Sequence, residues 1–138
     1  MMADCVFCRI VEGSIPSIKI TEEKNMIAIL DIHPCAKGHG LIIPCHHAGN
    51  ARDFFANEWK DMMELARKVG ESQMHALGAK GFHLVMNNEP AAEQVVMHAH
   101  LHVIPRYPGD GLKLSLPPLQ VSQDELREVG KRLQADLK

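Results

Sequence analysis

The sequence predicts an α+β fold: an antiparallel five-stranded sheet carrying one long helix, with a short N-terminal helix and a C-terminal helix. Two observations lead there. Short apolar runs at residues 18–20, 26–30, 40–43, 81–87 and 99–105 are bounded by polar residues, Gly or Pro, with short turns between strands. Only one long internal stretch, residues 57–77, places its apolar side chains at helical spacing.

In chain order, residues 5–12 read as a short helix closed by Gly13, with Ser14-Ile15-Pro16 as the turn after it. Ile18-Lys19-Ile20 and residues 26–30 read as strands joined by a polar turn at 21–25, in which Glu22-Glu23-Lys24 is solvated. Residues 40–43 form a third strand, ended by Pro44. The long helix turns Trp59, Met62, Met63, Ala66, Val69 and Leu77 inward, with Gln73 a polar exception on that stripe; Asn57 is its expected N-cap, and Gly78 and Gly81 end it. Residues 81–87 and 99–105 are the fourth and fifth strands. A Gly/Pro-rich connection at 108–118 leads to Ser122-Gln123-Asp124-Glu125, a capping-box sequence that starts a helix running to about residue 136.

A chain of 138 residues is one domain, 1–138, with enough length for a real core. A net charge of −2 gives no global pull toward a nucleic-acid polymer or an anionic membrane, so any phosphate recognition must be local. No apolar run approaches a membrane span, and Asp4 and Arg9 interrupt the N-terminus, so a cytoplasmic location is expected. In a reducing compartment the four cysteines form no disulfide framework. Cys5 and Cys8 make a lone C-x-x-C, whereas Cys35 and Cys45 have no partner at ligand spacing and read as free thiols.

The chemistry concentrates in His98-Ala99-His100-Leu101-His102-Val103-Ile104. On a strand, the three imidazoles project from one face, roughly 6.5–7 Å apart, and Ala99, Leu101 and Val103 face the core. Three aligned imidazoles suit a metal site, covalent attack on phosphorus, or a hydrogen-bonded structural set, and the triplet alone leaves all three open.

The surrounding segments narrow the choice. Cys5-Val6-Phe7-Cys8-Arg9-Ile10-Val11-Glu12-Gly13 with Ile15-Pro16, Leu30-Asp31-Ile32-His33-Pro34, Lys37-Gly38-His39-Gly40-Leu41-Ile42-Ile43-Pro44, Asn87-Asn88-Glu89 through Gln94, and Pro105-Arg106-Tyr107 with Gly109-Asp110-Gly111 stand in one order. Together with the histidines they resemble the bacterial-type branch of the histidine-triad (HIT) superfamily of nucleotidyl hydrolases and transferases. The resemblance covers residues 5–111 and leaves 112–138 as a C-terminal extension. It implies a HIT-like fold and a homodimer that binds a purine nucleotide or nucleotidyl conjugate, with no nucleic-acid polymer and no membrane among its partners. It makes His100 the nucleophile, His102 the ring that touches phosphate and helps the leaving group, and His39 a supporting histidine. It also implies a structural zinc on Cys5, Cys8, His47 and His98, with His46 aligning less well than His47, and no cofactor for the chemistry itself.

For the nucleotide, the resemblance implies that Asp31 accepts the ribose hydroxyls, and that Phe7, Ile10, Ile15, Ile29 and Ile32 wall the base. Asn87 would lie on the phosphate or ribose side. Gln94 and the backbone of residues 93–96, including Val95 and Val96, would cradle the phosphate together with His100 and His102. Two residues depart from the family pattern: Glu93 stands where a glycine is usual, and Val95 where a hydroxyl is usual. The implied activity is hydrolysis of nucleoside 5′-phosphoramidates or related AMP conjugates through a nucleotidyl-histidine. The alternatives are a dinucleoside polyphosphate hydrolase, a weakly active nucleotide-binding regulator, and a protein whose triad itself holds metal.

Overall fold

The computed structural model describes residues 4–138. Its elements run α1 (Val6–Glu12), β1 (Lys19–Glu23), β2 (Met26–Leu30), β3 (Gly40–Pro44), α2 (Ala56–Leu77), β4 (Gly81–Val85), β5 (Leu101–Arg106) and α3 (Gln123–Leu137), with single 3₁₀ turns at Ala51–Asp53 and Pro90–Ala92. The strands form one sheet in the order β1-β2-β3-β5-β4, antiparallel at every pair.

Alternation along the strands builds two cores. Met26, Ala28, Ile42, Leu101 and Val103 face α2 and pack on its Met62, Leu65, Ala66 and Val69. Ile27, Ile29, Leu41 and Ile43 point to the opposite face and meet Phe7 of α1, with Ile10, Val11 and Val96 packed alongside. The helix α1 is closed by Gly13 at φ 90, a left-handed conformation that glycine adopts without strain.

Several expected boundaries move. The polar turn at 21–25 is shorter than expected, because β1 continues through Glu23 and only Lys24 (φ 50) and Asn25 (φ 62) reverse the chain. Two successive left-handed residues make the tight hairpin turn whose twist matches that of the strands. Polar residues are tolerated in β1 because it is an edge strand, and Glu23 is held by Lys68 of α2 at 2.8 Å. The N-cap of α2 is Phe55 rather than Asn57, and the Glu58 carboxylate accepts the Phe55 N–H at 2.8 Å. The buried stripe of α2 is Met62, Leu65, Ala66, Val69 and Gln73, so Met63 (44% exposed), Trp59 and Leu77 fall outside it, which corrects their expected core placement. The capping box of α3 forms as expected, with Ser122 Oγ accepting from Glu125 N–H and the Glu125 carboxylate from Ser122 N–H. No residue of α3 is buried.

The correction that matters for chemistry concerns the triad. The fifth strand starts at Leu101, not at residue 99, so only His102 stands in the ladder, opposite Leu41 and Val85. His98, Ala99 and His100 lead into it as non-ladder backbone, tied by Ala99 N–H to the carbonyl of Ala48 at 2.7 Å. Only His102 is therefore held by ladder pairing, while all three rings stay on the α1 side of the sheet, where Phe7 meets His98 and His100 edge-on and His100 lies 5.2 Å from His102.

Candidate active site

Hydrogen bonds from the main chain set the tautomer of each histidine. His100 Nδ1 lies 2.7 Å from the carbonyl oxygen of His98, so Nδ1 carries the proton and Nε2 keeps its lone pair. His39 Nδ1 accepts the Cys35 backbone N–H at 3.0 Å, which leaves the proton on Nε2. His39 Nε2 lies 2.9 Å from His102 Nδ1, so it donates there, and His102 in turn holds its own proton on Nε2. The outcome is a bare nitrogen on His100 beside an N–H donor on His102, with ring centroids 5.2 Å apart.

Burial keeps these rings neutral. It lowers the pKa of His100 and of His39, and takes His102 down to about 4, with the neighbouring His100 and His39 adding to the effect. Asp31 acts in the opposite sense, its Oδ2 standing 3.6 Å from His39 Nε2 and 4.0 Å from His102 Nδ1. Its Oδ1 accepts the His33 N–H at 2.8 Å, which fixes the carboxylate at the end of β2.

Asp31, His39 and His102 are close enough to suggest a metal group. The tautomers argue against it. His39 Nδ1 is occupied by an amide N–H, so a metal on Nε2 would require a buried imidazolate. The cluster is a hydrogen-bonded pair of imidazoles beside the Asp31 carboxylate.

Beside His100 opens a mostly apolar cleft of about 550 Å³, with Asp31 and His100 among its few polar walls. It brings together Phe7, Ile10, Ile15, Asp31, Ile32, Val95, Val96 and His100 of the expected nucleotide residues, as well as Ile29. Phe7 meets the His100 ring edge-on at 5.0 Å. Ser17, His33 and Leu41 also line the cleft and were not anticipated, because nothing in their local spacing marks them.

Three of the expected nucleotide residues, Gln94, Asn87 and His102, do not line this cleft. Gln94 is buried and faces away from the cleft: its Nε2 donates to the carbonyls of Gly49 and Val96 at 2.7 and 2.9 Å, and its Oε1 accepts the Glu89 N–H at 2.9 Å. It shapes the loop and has no free group for phosphate. Asn87 likewise does not line the cleft, and its Nδ2 lies 3.5 Å from the Glu93 carbonyl. That loop is strained at two side-chain-bearing residues, Glu89 (φ 76, ψ 155) and Glu93 (φ 68, ψ 23), both in regions that favour glycine.

On the far side of α1 and the residue 95–97 segment, Cys5, Cys8, His47 and His98 offer ligand atoms within 4.8 Å of one another. Cys5 Sγ and Cys8 Sγ lie 3.4 and 3.5 Å from His98 Nδ1, and Cys8 Sγ lies 3.4 Å from His47 Nδ1. A tetrahedral zinc with bonds of about 2.3 Å to sulfur and 2.0 Å to nitrogen spaces S and N by about 3.5 Å, so the four atoms fit. His98 Nε2 donates to the Pro44 carbonyl at 2.9 Å, which turns the Nδ1 lone pair toward the sulfurs. Burial holds the His98 pKa down at about 4, as a neutral ligand requires. His46 is taken by Glu58 at 3.0 Å and stays out of the group.

An antiparallel sheet with a buried pair of hydrogen-bonded histidines, a bare imidazole nitrogen at an apolar cleft and a Cys/His cluster that could hold a metal defines a histidine-triad protein. The HIT domain family matches residues 12–109. The adenosine 5′-monophosphoramidase hnt1 of Schizosaccharomyces pombe is 35% identical over 136 residues, covering 97% of this chain and 98% of that protein. The crystal structure of SMU.412c from Streptococcus mutans UA159 superposes with a TM-score of 0.93 at 33% identity, covering 100% of this chain and 88% of that one. A zinc-bound histidine triad family protein from Mycobacterium smegmatis superposes with a TM-score of 0.77 at 36% identity, covering 96% and 97%. This chain belongs to the HIT family.

Proposed function

We propose that this protein hydrolyses nucleoside 5′-phosphoramidates or related AMP conjugates through a nucleotidyl-His100 intermediate. Membership of the family makes it a HIT-type hydrolase; the leaving group and the intermediate are specific to this reading. The observation that carries it is the opposed protonation of two adjacent rings, a lone pair on His100 Nε2 and a proton on His102 Nε2.

The base enters the apolar cleft and Asp31 receives the ribose hydroxyls. His100 Nε2 attacks the α-phosphorus, forming the N–P bond as the bond to the leaving group breaks. The ring becomes cationic, and its Nδ1–H bond to the His98 carbonyl, already 2.7 Å, strengthens with that charge. The His102 Nε2–H donates a hydrogen bond at the bridging atom, while the departing amine takes its proton from solvent at the open cleft mouth, where Val95 is 88% exposed. Water then attacks phosphorus, releasing AMP and restoring neutral His100. Val95 lines the cleft with His100 and offers no hydroxyl to the leaving atom, which favours conjugates with good leaving groups.

Cys5, Cys8, His47 and His98 would hold a structural zinc that clamps α1 to the segment bearing the nucleophile. A homodimer in the cytoplasm completes the reading, with reducing conditions keeping Cys5 and Cys8 free of disulfide. Among the described residues, no helix is long and apolar enough to cross a membrane.

The test is turnover of an adenosine phosphoramidate with acid quenching and mass spectrometry. An AMP adduct on the peptide containing His100 is expected. Turnover with no adduct under single-turnover conditions argues for direct attack by water.

A further inference from the structure

We propose that Gln73, from the opposite side of the sheet, is a positioning residue for the His39–His102 relay. This rests on the reading of His102 as the donor to the leaving group. Gln73 is the polar residue on the otherwise apolar stripe of α2, 4% exposed in the core. Its Nε2 donates to two main-chain carbonyls, Gly38 at 3.0 Å and Val103 at 2.9 Å. Gly38 immediately precedes His39, and Val103 immediately follows His102. One amide on the α2 face thus ties together the two backbones whose side chains meet at 2.9 Å on the α1 face.

The sheet itself explains why a side chain is needed there. The register pairs Gly40 with Val103 and Leu41 with His102, so continuing it sets Gly38 opposite residue 105. Residue 105 is proline, whose ring has no N–H to give. The ladder between β3 and β5 therefore stops short of Gly38, and the Gly38 carbonyl takes its donor from Gln73 instead. The buried Oε1 of Gln73 has no partner, so its two donated bonds alone fix its orientation. A side chain kept in the core at the cost of an unsatisfied oxygen is there for its donors.

Gln73 touches no substrate and acts through the spacing of the two rings. Without its bonds the 36–38 turn drifts from β5, the His39–His102 bond lengthens, and the His102 Nε2–H is no longer held toward the leaving atom. The base and ribose contacts are made by other elements and remain.

The experiment compares wild type with Gln73→Met, which conserves volume and removes both donors, and with Gln73→Lys, which restores a donor. Each is assayed with a basic-amine phosphoramidate and with a good-leaving-group adenylate, alongside AMP affinity by calorimetry and the His39 Nε2–H signal by NMR. In Gln73→Met, kcat for the amine should fall about tenfold further than kcat for the good leaving group. AMP affinity should stay within about twofold, and the imidazole N–H signal should shift or exchange away. Gln73→Lys should recover the leaving-group profile. Equal loss on both substrates, an unchanged amine rate in a folded variant, or an unshifted imidazole signal overturns the proposal. If Gln73→Met does not fold, the double variant Pro105→Ala/Gln73→Met supplies an N–H opposite Gly38, and a wild-type leaving-group profile in it counts for the proposal and an equal loss on both substrates against. Wild type inactive on both substrates sinks the phosphoramidate reading instead, and the imidazole signal still decides the role of Gln73.

Discussion

His100 Nδ1 donates to the carbonyl oxygen of His98 at 2.7 Å, while the His98 ring turns its own Nδ1 to the sulfurs of Cys5 and Cys8. The residue that orients the His100 ring by its main chain thus belongs, by its side chain, to the Cys/His cluster that could hold a metal. Replacing His100 by Asn keeps polarity and removes the attacking nitrogen. Turnover should collapse while AMP binding, measured by calorimetry, persists. Near wild-type turnover in that variant would exclude covalent attack by His100.

The lowered pKa values set a pH window. Burial lowers the pKa of both His100 and His102 from the ordinary imidazole value of 6.5, that of His102 to about 4. The acid limb of kcat/KM should therefore fall below pH 6.5, with a flat profile through neutrality. The same shift affects stability. Between pH 6.5 and 4 the unfolded chain binds a proton at His102 that the folded chain refuses, so stability is full above that window and lost as pH falls through it. An activity midpoint at or above 6.5 contradicts this.

Zinc should be present at close to one equivalent per chain in protein purified without chelator, and Cys8→Ser should lose it. Because metal binding is linked to folding, chelation should lower the melting temperature of wild type and leave Cys8→Ser nearly unmoved. Equal metal in both proteins by elemental analysis would place it elsewhere.

Val95→Ser puts a hydroxyl on the loop residue that lines the cleft together with His100. It should speed hydrolysis of a basic-amine phosphoramidate about tenfold, roughly 1.4 kcal/mol, and a good-leaving-group adenylate much less. A parallel change in kcat/KM for both substrates would show that departure of the amine is not limited by a missing donor.

Glu93 sits at φ 68, where a side chain crowds the backbone. Glu93→Gly relieves that strain and loses some unfolded-state stiffness, for a net gain of about 0.5–1 kcal/mol. The expected rise in melting temperature is about 2–4 °C for a domain of this size. A lower melting temperature in the glycine variant would mean that the Glu93 side chain makes a stabilising contact.

Much of this protein was legible in its sequence. Alternation of apolar and polar residues marks the strands, helical spacing marks α2, and Ser122 with Glu125 marks the start of α3, because each pattern depends on a local period or cap. The histidine positions pointed to the candidate site, and the spacing of Cys5 and Cys8 pointed to half of the cluster that could hold a metal. Tertiary structure alone decided how each ring is held. His98, His100 and His102 look equivalent in the alternating sequence, yet the Pro44 carbonyl, the His98 carbonyl and, through His39, the Cys35 N–H fix the protonated nitrogen of each ring and turn its lone pair to a different neighbour. Gln94 turned inward for the same kind of reason, since Gly49 and Val96 carbonyls took its amide. Every residue carries a carbonyl, and every residue but proline an N–H, so no residue letter announces which will be left unpaired at a given place. That is settled only when strands register, and here the register left Gly38 facing a proline with no N–H to offer.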